Sequence, residues 1–184
     1  MCPAIPEEAP VVRVRRAGVH DLPSVVRIER TSFSDPWPSW SLKDEMMRPD
    51  SVFLVAELAG EVIGYAGMRF ALDEGHVGTV AITEEHRGEG LGEALMLCML
   101  IEAREHKLNT VFLEYRVGNK PAANLYAKLG YKPNRLRRGY YEDNGEDAVE
   151  AILQELRSPE LQRHLNSLRK SWESRHERHL IWDR

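Results

Sequence analysis

The sequence predicts an α/β (α+β) domain built on one mixed, mostly antiparallel twisted sheet flanked by helices. Three observations predict it. Residues 51–58 and 61–70 are strand-like runs separated by Ala59-Gly60, the pattern of an antiparallel hairpin. Residues 77–82 form a short apolar run that passes through three glycines into a long apolar helix pattern. Residues 110–116 form another strand, followed by a helix pattern with Pro121 near its start and Gly130 at its end.

The other elements follow in order. Residues 11–15 alternate and read as an edge-like first strand. His20-Asp21-Leu22-Pro23 supplies a cap and an early proline, so a helix starts there. Leu22, Val25, Val26 and Ile28-Glu29 give it a roughly helical apolar face, and it fades at 31–35. Two prolines and two tryptophans then fall within residues 36–40. Trp37 and Trp40 either plug the core or form one wall of a substrate groove. Ser39 or Ser41 can cap a short helix that ends before Pro49. Asp73-Glu74-Gly75 turns the chain into the strand at 76–82. The helix from about 90 to 107 is apolar all round at 94–101 and should be buried on most sides. In 110–116, Val111, Leu113 and Tyr115 share one face, Phe112 and Glu114 the other. Residues 131–141 and 148–156 read as two final strands.

Two flanking segments set the domain at residues 11–156. Residues 1–10, with Pro3, Pro6 and Pro10, read as a disordered or extended lead. Residues 157–184 read as a C-terminal helical extension outside the sheet, with the stripe Leu161, Leu165, Leu168 and Trp172. That stripe packs on its own domain or meets a partner chain or a ribosomal surface.

Bulk properties exclude several classes. At 184 residues and 42% hydrophobic content the chain can bury one real core. A net charge of −4 leaves no global footprint for direct nucleic acid binding. No apolar run approaches the ~20 residues a membrane span needs. The start, MCPAIPEEAPVV, lacks the basic and apolar parts of a secretory signal, so a cytoplasmic setting is expected. Cys2 and Cys98 make neither a disulfide framework nor a metal spacing, and His176 and His179 lack a ligand complement, so no metal is expected.

The glycine segment carries the first chemical signal. Arg87-Gly88-Glu89-Gly90-Leu91-Gly92 sits where strand gives way to helix. Glycine allows close backbone approach, and a helix N-terminus offers free amides and a positive dipole end, which together favour a phosphate. No Lys-Ser/Thr follows, which excludes a P-loop, and the glycine spacing departs from the dinucleotide fingerprint. What remains is R-x-x-G-x-G: a pyrophosphate cradle edged by Arg87, or an ordinary glycine-softened connection. Glu114 is the second signal, because a carboxylate on a buried strand costs free energy unless it is used or satisfied.

Further motifs accumulate: Leu113-Glu114-Tyr115-Arg116-Val117-Gly118-Asn119, Ala122-Ala123-Asn124-Leu125-Tyr126, Leu129-Gly130-Tyr131, Arg138-Gly139-Tyr140-Tyr141 and Gly145-Glu146-Asp147-Ala148. With the glycine loop, the series resembles the protein Nα-acetyltransferases of the GNAT (GCN5-related N-acetyltransferase) superfamily, of the RimI and archaeal type. The likeness covers about residues 11–156; the segment after Leu156 lies outside it. Gly118 departs from the serine usual before the asparagine. The Asp35-Pro36-Trp37 stretch looks bacterial, while His76 looks archaeal or eukaryotic.

The resemblance implies a GNAT fold and transfer of acetyl from acetyl-CoA to the free α-amine of protein or peptide N-termini, ribosomal proteins among them. It implies Glu114 as the base, with His76 as a second candidate sharing a water, and Tyr126 as the acid for the leaving sulfur. The cofactor would be held by Val80, Ala81, Ile82, Arg87, Gly88, Glu89, Gly90, Leu91, Gly92, Glu93, Asn119 and Tyr126, with an amide at or near Val80 steadying the oxyanion. Trp37, Tyr140 and Tyr141 would line the substrate side, with Trp40 beside Trp37. Alternatives are a GNAT acting on lysine or a small-molecule amine, and a non-catalytic CoA-binding or ribosome-associated subunit.

Overall fold

The computed structural model describes residues 9–183. The strands are β1 (Val11–Arg16), β2 (Ser51–Leu58), β3 (Glu61–Ala71), β4 (Glu74–Ile82), β5 (Thr110–Arg116), β6 (Lys132–Tyr141), β7 (Glu146–Leu153) and β8 (His179–Asp183). The helices are α1 (Leu22–Ser32), α2 (Ser39–Met47), α3 (Leu91–Glu105), α4 (Lys120–Leu129) and α5 (Pro159–His176). All eight strands form one sheet in the order β6-β7-β5-β4-β3-β2-β1-β8. Only β4–β5 and β1–β8 are parallel, so the sheet is mixed and mostly antiparallel.

Period-2 alternation sends side chains to two faces, and each face has its own helices. On one face Val12, Val14, Leu54, Ala66, Val111 and Leu113 meet α3 and the apolar side of α5. On the other, Phe53, Val55, Tyr65 and Ala81 meet Val25 and Ile28 of α1 and Leu42 of α2. Helix α3 is buried from Leu91 through Leu100, apart from Gly92, because α5 covers the side turned away from the sheet. That placement explains a helix apolar all round. Burying one large apolar side chain contributes ~1.5–3 kcal/mol, so Leu165 and Trp172, both buried, tie α5 into the core.

Three expectations are corrected. The extension after Leu156 is not wholly helical or outside the sheet: after Glu177, in the left-handed region at φ 48°, β8 runs parallel to β1. β1 is therefore an interior strand rather than an edge. Its alternation records one face in the core and cannot say how many neighbours it has. The cap of α2 is also different, since Pro38 occupies the N-cap position and no serine side chain caps it. The lead expected over residues 1–10 lies outside the described residues except Ala9 and Pro10. Ala9 is buried, and the Pro10 carbonyl accepts from the His179 N–H at 3.1 Å.

Candidate active site

The site begins where the sheet opens. β4 and β5 pair in parallel from Glu74 opposite Thr110 to Val77 opposite Leu113, and the pairing stops there. Beyond it the β4 residues 79–82 stay paired with β3 alone, past a bulge at Gly78, and Glu114 to Arg116 with β7 alone. One flank of each strand is left without a ladder partner, and main-chain groups in that position need another one. A cavity of about 690 Å³ lies at the opening, on the α1–α2 side of the sheet.

Glu114 projects into this cavity from β5, and His76 meets it from β4. His76 Nε2 and Glu114 Oε2 are 2.6 Å apart, so an ionised Glu114 accepts the ring N–H. The expectation of a water shared between them is corrected: the contact is direct. Glu114 is nearly buried and His76 is half exposed, so the imidazole is the wetter member. The Arg137 guanidinium stands 3.5 Å from the other carboxylate oxygen, while its closer partner is Glu150 at 2.7 Å.

The walls come from three segments. Trp37, after α1, lines one side; Tyr140 and Tyr141, at the end of β6, line another. The two tyrosine rings pack edge to face at 5.2 Å, and Arg116 lies over the Tyr141 ring at 3.8 Å. Arg116 also holds Asp143 at 2.8 Å, and Asp143 accepts from the Ser34 hydroxyl, which joins the α1–α2 segment to the β6–β7 turn. Glu29 of α1, almost fully buried, accepts from the Trp37 N–H at 2.8 Å and from the Tyr65 hydroxyl. Burial lifts the Glu29 carboxyl above the usual carboxylate range, against the pull of the Trp37 N–H. Trp40 is 73% exposed and does not line the cavity, so neither of its expected places holds.

The remaining predicted residues lie outside this cavity. Tyr126 is buried on α4, its ring centre 5.6 Å from Tyr115 and 5.8 Å from Tyr131, and burial pushes the phenol up to about 12. The Asn119 side chain caps α4 by accepting from the Ala122 N–H at 3.1 Å. Arg87 donates to the Ile82 carbonyl at 3.2 Å, clamping the loop to the end of β4. Gly90 is the N-cap of α3, in the left-handed region at φ 76°, and no side chain caps this helix start. An uncapped N-terminus with glycine at its cap fits a bound phosphate. Glu89 and Glu93 are both engaged by side chains: Glu89 by Arg178 at 2.8 Å and the His86 ring at 3.1 Å, Glu93 by Lys128 at 2.7 Å and Arg175 at 3.0 Å. Thus Trp37, His76, Val80, Glu114, Tyr140 and Tyr141 share one cavity. Tyr126, Asn119 and the segment from Arg87 to Glu93 do not line it, and Ala81 is buried against the α1–α2 core.

The Gly90 geometry makes a stability prediction. A β-carbon there would meet Trp172 Nε1 at 2.8 Å and the His176 ring, while one at Gly88, also at positive φ, would meet nothing within 4 Å. Gly88→Ala is expected to cost only the conformational term, ~1 kcal/mol. Gly90→Ala adds a clash and should cost ~3 kcal/mol. Thermal unfolding should then show midpoints lower by ~3 °C and ~9 °C respectively.

Comparison with known proteins decides the family. A family model described as Acetyltransferase (GNAT) family matches residues 22–131, more than half of the chain. The chain belongs to the GNAT family. A Bacillus subtilis (strain 168) protein, provisionally named a ribosomal protein bS18-alanine N-acetyltransferase, is 38% identical over 137 residues, covering 74% of this GNAT chain and 91% of its own. An N-alpha-acetyltransferase of Sulfurisphaera tokodaii is 34% identical over 149 residues, covering 74% and 89%. Among solved structures, the ribosomal-protein-S18-alanine N-acetyltransferase of Escherichia coli superposes with a TM-score of 0.74 at 26% identity, covering 79% of this GNAT chain and 94% of that one.

Three contributors to the site were not anticipated: Glu29, Arg137 and the contact between Ser34 and Asp143. An acidic residue on the buried face of an amphipathic helix, Glu29 beside Ile28, was a readable signal. The other two depend on which loops meet in space.

Proposed function

We propose that the protein transfers an acetyl group from acetyl-CoA to the free N-terminal α-amine of proteins or peptides, ribosomal proteins among them, by direct attack in a ternary complex. The observation that carries the reading is the Glu114–His76 pair at the opening between β4 and β5, inside a cavity walled by Trp37, Tyr140 and Tyr141. The names of the relatives support the same substrate class.

The chemistry suits an α-amine. It must be neutral to attack, and its pKa of ~7.7–8.0 leaves about a tenth to a fifth neutral near pH 7, whereas lysine at ~10.4 leaves almost none. A modest base therefore suffices. Glu114 takes the proton released from the amine nitrogen, and His76, bonded to it, is the second proton site of the pair. Acetyl-CoA, when bound, supplies the thioester carbonyl that the amine attacks. The uncapped start of α3 (Leu91, Gly92 and Glu93 amides), with Gly88, Gly90 and Arg87, would hold its pyrophosphate; the unpaired flank of Val80, Ala81 and Ile82 would offer main-chain bonds. An amide at or near Val80 steadies charge building on the carbonyl oxygen. Tyr126 stands on the leaving-group side as a neutral phenol. Asn119 acts mainly by setting the start of α4.

The deciding measurement is a pair of peptides assayed with acetyl-CoA. One has a free N-terminus and no lysine; the other has a blocked N-terminus and an internal lysine. Turnover of the first and none of the second is expected. The reverse would transfer the activity to lysine and overturn the reading. Varying the first two residues of the free peptide then defines selectivity.

A further inference from the structure

The segment beyond the resemblance reaches the glycine loop with four side chains. The Bacillus subtilis relative leaves roughly a quarter of this chain unmatched, and the family model ends at residue 131. Yet the last turn of α5 stands directly over the start of α3. The Trp172 indole, fully buried, donates from Nε1 to the Gly90 carbonyl at 2.7 Å. The His176 ring packs at a tilt 5.0 Å from that indole and fills the space beside Gly90. Arg175 bonds both oxygens of Glu93, at 3.0 and 3.2 Å. Past the left-handed Glu177, Arg178 reaches Glu89 at 2.8 Å, and β8 then anchors the chain end on β1.

The charge arrangement gives these contacts a purpose beyond packing. A phosphate at this helix start would face two carboxylates, Glu89 in the loop and Glu93 in the first turn. Like charges at such range oppose one another strongly where water is partly excluded. The groups facing Glu89 are Arg178 and His86; those facing Glu93 are Arg175 and Lys128. The tail thus supplies one guanidinium to each carboxylate, Arg178 to Glu89 and Arg175 to Glu93. Arg178, with His86, also holds the Glu89 carboxyl below its usual range.

We propose that α5 and β8 form a brace that shapes and charge-compensates the acetyl-donor loop, with Trp172, Arg175 and Arg178 as positioning residues for acetyl-CoA. This rests on reading residues 87–92 as the donor loop. The brace acts through Gly90, Glu89 and Glu93; its side chains need not touch the donor. It makes the tail part of the donor site and gives it a role in the reaction without a partner chain.

Truncation at Ser158 would remove buried Leu165 and Trp172 along with an edge strand, so it tests stability rather than the brace. The better variants are Arg178→Gln and Arg175→Gln, singly and together, in the full chain, with Arg178→Lys as the conservative control. The double variant is expected to raise KM for acetyl-CoA and the calorimetric Kd for CoA by about tenfold, and each single by about threefold. KM for the peptide and the thermal midpoint should stay within error, and Arg178→Lys should recover most of the affinity of wild type. CoA affinity within twofold of wild type in the double variant, or an equal rise in KM for both substrates, would overturn the brace. A wild-type chain that binds no CoA would overturn the donor-loop reading and the brace with it. Wild-type binding with unaffected variants overturns the brace alone.

Discussion

Replacing Glu114 by glutamine is expected to lower kcat by about 10²–10³-fold, with the fold and CoA affinity intact. Glutamine keeps the shape and can still bond His76, which stands 2.6 Å from the carboxylate. It cannot accept a proton. The substitution should strand no charge, because Arg137 already has Glu150 at 2.7 Å and Glu114 only at 3.5 Å. The pH profile tests the role more sharply than the rate does. Without the base, turnover depends on the amine that is already neutral. The variant's rate should therefore climb about fivefold to tenfold between pH 7 and 9, following the α-amine pKa of ~7.7–8.0, and then level off. Wild type should depend less on pH over the same range. His76→Gln should cost less, about tenfold, since Glu114 remains to take the proton. Wild-type kcat in Glu114→Gln would remove the pair from the mechanism.

How much of this was legible in the sequence depends on the range of the interaction. Periodicity and turn chemistry act within one element. The hairpin at Ala59-Gly60, the helix opened by Asn119 and Pro121 and closed by Gly130, and the apolar α3 were therefore all readable. Neighbour counts are not local. β1 alternates whether it has one partner or two, so nothing in residues 11–16 announces that His179 to Asp183 will pair with it. A five-residue strand after a heavily charged helix has too little apolar surface to declare itself, and it is stable only because an existing strand offers a ready ladder.

The same distinction runs through the site. Glu114 was conspicuous because a carboxylate among Val111, Phe112 and Leu113 breaks the pattern of its own strand. Its direct pairing with His76 was not, because it depends on the parallel register that sets His76 opposite Phe112. Trp37 and Trp40 show the reverse error. Two tryptophans three residues apart look equivalent in sequence, but Trp37 lies in the connection between α1 and α2 and is fixed by Glu29. Trp40 is the second residue of α2 and faces outward. The tail's cations could be counted from the sequence, but their targets in the loop lie more than eighty residues earlier.

Tyr126→Phe is the second substitution expected to have a large effect, and here stability and rate should move independently. The phenol is buried on α4 between Tyr115 and Tyr131, and burial holds it neutral up to about pH 12. No titration of this residue should therefore appear in the rate profile below pH 10. Burial raises the phenol above an ordinary thiol, so complete proton transfer from it to the leaving sulfur would run uphill. The phenol is thus suited to donate a hydrogen bond to the sulfur as charge develops, with the bulk of the proton transfer completed elsewhere. Losing one donor aimed at developing charge costs ~2.7–4 kcal/mol, or about 10²–10³ in kcat. Phenylalanine keeps the ring packed against Tyr115 and Tyr131 and removes only the hydroxyl of a buried side chain. The thermal midpoint should hold or rise while kcat falls and KM for acetyl-CoA changes little. A lower midpoint with unchanged kcat would instead make Tyr126 a packing residue of the α4–sheet interface, and the leaving sulfur would then need its donor from another group.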